Sequence, residues 1–377
     1  MAGKSFPVDV NPAVLRWARE TGGYSAEEAG DRVADPQTLE AWESGKDRPT
    51  WTSLVKLAKL YKRPVAALLL PLPPGEPPLP PDFRTLPAGD MKLSPSTRLA
   101  IRTARWLAGK AAGLEAQLDR TSRFEGPKAR LSTAPERVAE TCRELLGIPL
   151  AEQIEWQSSY QAFRLWRAAV EAQNVLVFQA GMPVEEVRGF SLFESGKAVI
   201  VLNQTDAVNA RIFMLFHEFC HLLLAEPGIC LPEEGNVADA RKPETFCNRF
   251  AAALLIPAVD LQDQLRSGVQ AESALAALAG RYRVSRAVVL GRMRAVEAIS
   301  EHEYLAAISR LSSKAAAPRR TARGGPSPVD RVVRERGRAF VSLVVEAMSR
   351  DVITANDASA FLGIKLKHIE KAAARVK

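Results

Sequence analysis

Apolar residues at helical spacing dominate this chain, and strand-like runs are confined to one short region. Between Pro12 and Leu70 the pattern breaks into short helices: Pro12 to Glu20, a second opened by Ser25, a third from Asp35-Pro36 through Trp42, then Thr52 to Tyr61 and Val65 to Leu70. Ser25 with Glu28 three residues later has the form of a capping box, and Gly45 stops the third helix. Trp17, Trp42 and Trp51 fall at positions expected to be buried. Longer helices are predicted over 96–122, which carries Leu99, Ile101, Ala104, Trp106, Leu107 and Leu114, over Pro135 to Leu146, and through Trp156 to Glu171.

The period then changes. Asn174–Gln179, Arg188–Phe193 and Lys197–Leu202 are β-branched and aromatic runs bounded by Gly, Pro, Glu and Ser, so they predict a small sheet. The next helix is apolar nearly all round, with Ile212, Phe213, Leu215, Phe216, Phe219, Leu222 and Leu223, and Asp206 or Asn209 is placed to cap it. A second buried helix runs from Pro243 to Pro257. Ala271 to Ile299 resembles a further helix-turn-helix-like unit with clustered Arg281, Arg283, Arg286, Arg292 and Arg294, best read as a packing element. Residues 329–377 form a helical tail, with Val332, Phe340, Leu343, Val344 and Met348 in register and a turn at Gly363.

Two stretches lack periodicity. Pro71 to Pro87 contains three Pro-Pro pairs and reads as an extended spacer, or as an arm that docks through Phe83 in Asp82-Phe83-Arg84. Ser312 to Pro328 is Ala-, Pro-, Arg- and Gly-rich, a flexible basic linker. The expected organisation is therefore 1–70, a linker over 71–95, a central domain over 96–311, a linker over 312–328 and a helical tail domain over 329–377. With 377 residues of which 47% are hydrophobic, such a chain can bury two or three cores.

A net charge of +8 permits contact with nucleic acid or an acidic partner. The first residues carry no apolar signal-peptide core, and no apolar run reaches the length of a membrane span, so a cytoplasmic protein with no membrane partner is expected. Four cysteines, Cys142, Cys220, Cys230 and Cys247, lack C-x-x-C spacing and read as free thiols.

The polar break in the apolar helix is His217-Glu218-Phe-Cys-His221. Two histidines one helical turn apart can aim both rings at one metal ion, and the intervening Glu218 is placed to act as general base. Zinc suits such a site, one ion per chain, although manganese and cobalt accept the same nitrogen and oxygen donors. A third ligand must be a downstream carboxylate, and Glu244, Glu233, Glu234 and Asp239 all qualify. Cys220 flanks the metal face and can serve as a fourth, closing ligand, but a small buried hydrophobe is the simpler reading for it and for Cys247. Arg211 and Asn203 lie near the motif in sequence, with simpler readings as a surface cation and a strand cap.

In the N-terminal part, two helices joined by a tight turn are the geometry that enters a major groove. The groove-facing helix would present Gln37 and Thr38 to base edges, with Lys46 and Arg48 reaching phosphates. Its first turns hold no Arg or Lys, which leaves DNA binding and protein docking as equal alternatives.

Taken together, VLRWARE, LEAWESGKDRPTWTSLVKLAKLYKRPVAALLL, PPDFRTLP, NVLVFQ, RGFSL, VIVLNQTD, HEFCHLLL and ETFCNRFAAALLIP resemble, in order and spacing, the ImmA/IrrE family of zinc metallopeptidases that carry an N-terminal XRE-type helix-turn-helix. The resemblance implies a multidomain, mainly α protein with an α+β zincin-like core, zinc held by His217, His221 and Glu244, and Glu218 as catalytic base. It implies also that one strand pairs with the substrate backbone, and that the substrate is a protein, typically an XRE-type repressor encoded nearby, in a stress-response or mobile-element setting. The chain departs from the family at Phe219-Cys220, where Leu-Gly or similar small residues are frequent, and at Phe246-Cys247, where an acidic residue and Ala are common. The contrasting expectation is a DNA-binding regulator, or an antitoxin-like binding module, with a latent or structural metal site.

Overall fold

The computed structural model describes residues 6–80, 93–225, 229–230, 242–266, 271–313 and 326–376. Its N-terminal helices are α1 (Pro12–Thr21), α2 (Ala26–Val33), α3 (Pro36–Ser44), α4 (Trp51–Leu60) and α5 (Val65–Leu68). Side chains set where the first four begin: Asn11, Ser25, Asp35 and Thr50 each accept a backbone N–H of the turn that follows. The Ser25–Glu28 capping box is present, and Gly45 ends α3 in the left-handed region at φ 76°. Between α2 and α3 the backbones touch, since a Cβ on Gly30 would stand 2.5 Å from Pro36. Leu15, Leu39, Trp42, Leu54, Leu57 and Tyr61 form the core.

Trp51, expected in that core, is 40% exposed and stacks on Phe6 instead, because α4 turns Leu54, Leu57 and Ala58 inward and its first residue outward. Trp17 is half-buried beneath the Arg63 guanidinium. The proline-rich stretch is docked over residues 71–80 rather than a free spacer. Asn11 donates to the Pro71 carbonyl, Arg63 pairs with Glu76, and Arg105 donates to the carbonyls of Pro77 and Pro78. Asp82-Phe83-Arg84 lies outside the described residues.

The central part runs through α6 (Pro95–Gln117), α7 (Pro135–Leu146), α8 (Leu150–Glu155) and α9 (Ser159–Glu171) into strands β1 (Val175–Ala180), β2 (Gly189–Glu194) and β3 (Lys197–Asn203). Then follow α10 (Val208–Leu224), β4 (Ile229–Cys230), α11 (Lys242–Leu255), α12 (Ala258–Arg266), α13 (Ala271–Tyr282), α14 (Arg286–Ala295) and α15 (Glu301–Ser313). Helix α15 was not among the predicted elements; its Tyr304, Ile308 and Leu311 pack on the core. The sheet order is β1-β3-β2-β4, with β1 parallel and β2 antiparallel to β3.

Strand β3 is buried along its whole length. Ala198, Ile200 and Leu202 join the core built with α7, α9, α10 and α11, whereas Val199 and Val201 join a second core on the opposite face. That is why its sequence is a continuous apolar run rather than an alternating one. Lys197 at its start is buried and pairs with Glu115, with Ser122 completing its bonds. Neither Asp206 nor Asn209 caps α10: Ala207 occupies the cap position, Asp206 pairs with Arg188, and Asn209 donates to the Val284 carbonyl. Arg211, expected on the surface, is buried against Gln179 and Phe163. Asn203 is fully buried and donates to the carbonyls of Met182 and Val187.

The C-terminal helices are α16 (Pro328–Arg336), α17 (Arg338–Ser349), α18 (Ala355–Leu362) and α19 (Ile369–Val376). They do not close a core of their own, as a separate tail domain would. Val332, Phe340, Val341, Leu343 and Val344 share one core with Ile101, Ala104 and Leu107 of α6 and with Phe178, Phe190 and Val201 of the sheet. Two apolar faces of a sheet need two covers, and this tail supplies part of the second one together with α6. The junction is pinned at Gly337, which has φ +82° and no room for a Cβ: one would stand 2.3 Å from Glu171 Oε1 and 2.9 Å from the Val177 carbonyl. Buried Arg167 holds Glu171 at 2.9 Å and donates to the carbonyls of Val177 and Arg334, tying α9, β1 and α16 together.

Phe340 is 1% exposed and meets Phe178 edge-on. Phe340→Ala should therefore lower the unfolding free energy by about 3–5 kcal/mol, read as reduced hydrogen-exchange protection of the β1 and β3 amides. Unchanged protection of those amides would mean that the tail is energetically independent.

Candidate metal centre

Helix α10 carries the central motif, and all of Arg211 to Leu223 except Phe213 is buried. His217, Glu218 and His221 are 2%, 0% and 1% exposed. Apolar residues surround them on α10, so the helix has no solvent face and the histidines must be satisfied from a neighbouring element. That element is α11. Its Glu244 places Oε2 at 3.1 Å from His217 Nε2 and Oε1 at 3.2 Å from His221 Nε2, while the two Nε2 atoms stand 3.1 Å apart. One turn along α11, Asn248 Oδ1 lies 2.8 Å from His217 Nδ1. An Nδ1–H donated to that oxygen leaves Nε2 with its lone pair facing Glu244.

The donors fit a divalent ion. Two nitrogens and a carboxylate meet at one point, and their charges favour a cation there. Burial alone would raise the Glu244 pKa, but contacts with His217 and His221 outweigh it and hold the carboxyl well below the usual range. Burial alone would lower that of His221, yet bonds to Cys247 and Glu244 push it up to about 12. Side-chain exposure of 33% at Glu244, against 3% and 2% at the histidines, shows that the centre opens to solvent on the α11 side.

Cysteine also reaches this centre. The ligating atoms of His217, His221 and Cys247 all lie within 4.8 Å of one another, so Cys247 rather than Cys220 is grouped with the histidine pair. Both thiols are fully buried; burial pushes the Cys247 thiol up, and contact with Cys220 adds to it. Glu218 faces β2: a Cβ on Gly189 would stand 3.3 Å from Glu218 Oε1 and 2.8 Å from Met214 Cγ. A side chain at this position would crowd Met214 and Glu218, so glycine suits the close approach of the strand to the motif. The other carboxylates weighed from sequence, Glu233, Glu234 and Asp239, lie outside the described residues. Asn248 was missed because an amide four residues after a ligand is an ordinary surface choice until the facing helix is known.

Residues 170–294 match the family model described as the IrrE N-terminal-like domain, a peptidase M78 family, and residues 15–68 match the helix-turn-helix model. The chain joins an XRE-type helix-turn-helix domain to an IrrE-like peptidase domain. No protein of curated function matches it. Peptidases of the IrrE-like family are metal-dependent. The matched segment holds β1 to β3 and α10 to α14, and stops short of α6 and α16 to α19, which cover the other face of the sheet. A cavity of about 210 Å³ lies on that other face, lined by Leu99, Thr103, Phe178 and Arg336, away from the metal donors.

In the helix-turn-helix domain Gln37 is exposed on α3, and Lys46 and Arg48 are exposed just after it. Thr38 is half-buried, and its N–H and hydroxyl both donate to Asp35, at 2.7 Å each, as part of the α3 cap. Among the described residues no helix is long and apolar enough to cross a membrane.

His221→Ala or Glu244→Ala should abolish tight zinc binding, and Asn248→Ala should weaken it about 10–100-fold through loss of the His217 orientation. Glu218→Gln should keep it. Competition against a chromophoric chelator reads all four, and undiminished affinity in Glu244→Ala would remove that residue from the ligand set.

Proposed function

We propose that this chain is a zinc-dependent endopeptidase that regulates gene expression by cutting a protein partner at a specific site. The carrying observation is that His217, His221 and Glu244 converge to within 3.2 Å while Glu218, from the same turn of α10, stands fully buried beside Gly189 of β2. His217, His221 and Glu244 would hold the ion, with Asn248 fixing the first imidazole. A divalent ion bound there supplies a Lewis acid and a water acidic enough to lose a proton near neutral pH.

Glu218 is the general base. It takes the proton from the attacking water and returns it to the amide nitrogen as the peptide bond breaks, so the amine leaves neutral. Its burial keeps bulk water from competing for that proton. The substrate backbone is assigned to the β2 side of the sheet, because Gly189 brings that strand against the base and only Gly189 and Phe190 pair outward, with β4, among the described residues. The family resemblance supports a helix-turn-helix repressor encoded nearby as the substrate, in a stress-response or mobile-element context and in the cytoplasm.

Wild type incubated with that neighbouring protein and zinc should give one discrete cut by mass spectrometry. A chelator should stop it, zinc should restore it, and Glu218→Gln should slow it at least about a hundredfold. Equal cleavage by Glu218→Gln would remove the base from the mechanism.

One observation favours a second reading, a latent site in a DNA-binding regulator: Cys247 lies within ligand reach of both histidines. A fourth protein donor would close the position that a catalytic centre keeps open. Cobalt-substituted protein should then show a thiolate charge-transfer band that Cys247→Ser removes, and a spectrum without that band would leave Cys247 as packing alone.

A further inference from the structure

The last two helices form another two-helix unit, with a different turn and different surface chemistry from the α2–α3 pair of the first domain. Helix α18 opens on a Thr354–Asp357 capping box and stops at Gly363, which is left-handed at φ +68°. The N–H groups of Gly363 and Ile364 both donate to the Ser359 carbonyl, and the Ser359 hydroxyl donates to the Ile364 carbonyl, so the turn is fixed by its own bonds. A 3-10 turn, Leu366–His368, then runs directly into α19, giving one continuous helical element over 366–376. Ala358, Leu362, Ile364, Ile369, Ala372 and Val376 are buried, so each helix has its apolar side turned into the shared core. This is a helix, a tight glycine turn and a second helix.

The outer face of the second helix is a single stripe. Leu366, Lys367, Glu370, Lys371, Ala374 and Arg375 are exposed at four-residue spacing, opposite the buried Ile369, Ala372 and Val376. Lys367, Lys371 and Arg375 form one row along it, about 6 Å apart per step of four residues. Lys365 is also exposed, just before the first turn. Glu370 is the one exposed acid within the element, and Arg375 keeps 64% of its side chain in solvent despite its 3.3 Å contact with Asp330. Arg338 fixes the far end of α19 by donating to the carbonyls of Arg375 and Val376.

The placement of charge differs between this pair of helices and the α2–α3 and α13–α14 pairs. The second helix of the N-terminal pair, α3, holds no cation, and its exposed first turns carry Gln37 and Glu40. In α13 and α14 part of the cationic charge is committed within the fold: Arg292 is 2% exposed and donates to the Ile256 carbonyl and Arg281 pairs with Asp260, while Arg294 pairs at the surface with Glu301 and Arg286 is exposed. Of these three pairs, the C-terminal one carries exposed cations at four-residue spacing, Lys367, Lys371 and Arg375, on a helix whose opposite side is locked in a core.

We propose that the α18–turn–α19 unit is a second DNA-binding element, in which Lys365, Lys367, Lys371 and Arg375 seat the second helix on the phosphates of a duplex. A basic row on a rigid helix gives sequence-tolerant affinity that falls steeply with salt. The exposed Leu366, 50% accessible, offers an apolar contact of the kind that meets a thymine methyl. The element would hold the peptidase on DNA independently of α3, close to DNA-bound protein.

The test uses the full chain and a fluorescently labelled 20-base-pair duplex, with anisotropy titrations from 50 to 200 mM salt. Lys367→Glu with Lys371→Glu should lower affinity at least about tenfold and reduce the salt slope by about two. Lys367→Arg with Lys371→Arg should keep both, which separates loss of charge from loss of fold. Unchanged affinity and slope in the charge-reversed protein, with binding lost instead in Arg48→Glu, would overturn the proposal and leave DNA to the N-terminal domain. Wild type that does not bind the duplex at 50 mM salt would overturn it too, as would polyglutamate competing as well as unlabelled duplex, which would assign the row to an acidic polypeptide.

Discussion

Imidazole rings buried in an apolar helix must have their nitrogens satisfied by something that is also buried, and in this protein one neighbouring helix does it. His217 and His221 lie on α10, which has no solvent face over the motif, so Glu244 and Asn248 of α11 provide the polar partners at 2.8 to 3.2 Å. An error of an ångström in the packing of α10 on α11 would strand two rings and a carboxylate in low dielectric, where each unpaired group is costly. The close packing of Phe216, Phe219, Phe250 and Leu254 between these helices is therefore what the chemistry rests on. The same arrangement that satisfies the rings in the absence of an ion is the one that would hold an ion.

The sheet imposes the second constraint. Strand β3 is apolar on both faces, and β2 carries Gly189 past Glu218 on one of them. Whatever covers the other face holds β2 in place behind the base. In this chain the cover is shared by α6, which precedes the IrrE-like segment, and by α16 to α19, which follow it. The boundaries of the family match and the boundaries of the packed unit thus differ for a physical reason: the matched segment would leave Phe178, Phe190, Val199 and Val201 without a partner layer. Arg167, through its bonds to Glu171, Val177 and Arg334, links the two layers across the edge of the sheet.

Three of the two-helix units among the described residues have different surroundings. Helices α2 and α3 form the compact N-terminal domain, α13 and α14 are absorbed into the peptidase core, and α18 and α19 pack on the sheet with a basic row outside. Motif geometry alone assigns none of them a partner. The fate of the cations distinguishes them, because a buried Arg292 bound to a carbonyl is a structural bolt whereas Lys371 is exposed to solvent.

What could be read without coordinates was whatever local spacing dictates. The Ser25–Glu28 capping box, the glycine stop of α3, the three strands and the motif helix follow from periodicity and cap chemistry, which act over three or four residues and so are written in adjacent positions. His217, Glu218 and His221 were legible for the same reason, since one helical turn places them. Glu244 was one carboxylate among several until family resemblance singled it out, and its distances to both rings depend on how α11 lies on α10. Asn248, Cys247 and Gly189 reach the motif only through packing between elements 30 or so residues apart. The outward turn of Trp51, the burial of Arg211 and the merging of the tail with α6 were likewise decided by the tertiary structure. Side-chain type sets what a residue can do, but which apolar faces find each other is settled by the summed burial of the whole chain, and no single window of sequence contains that sum.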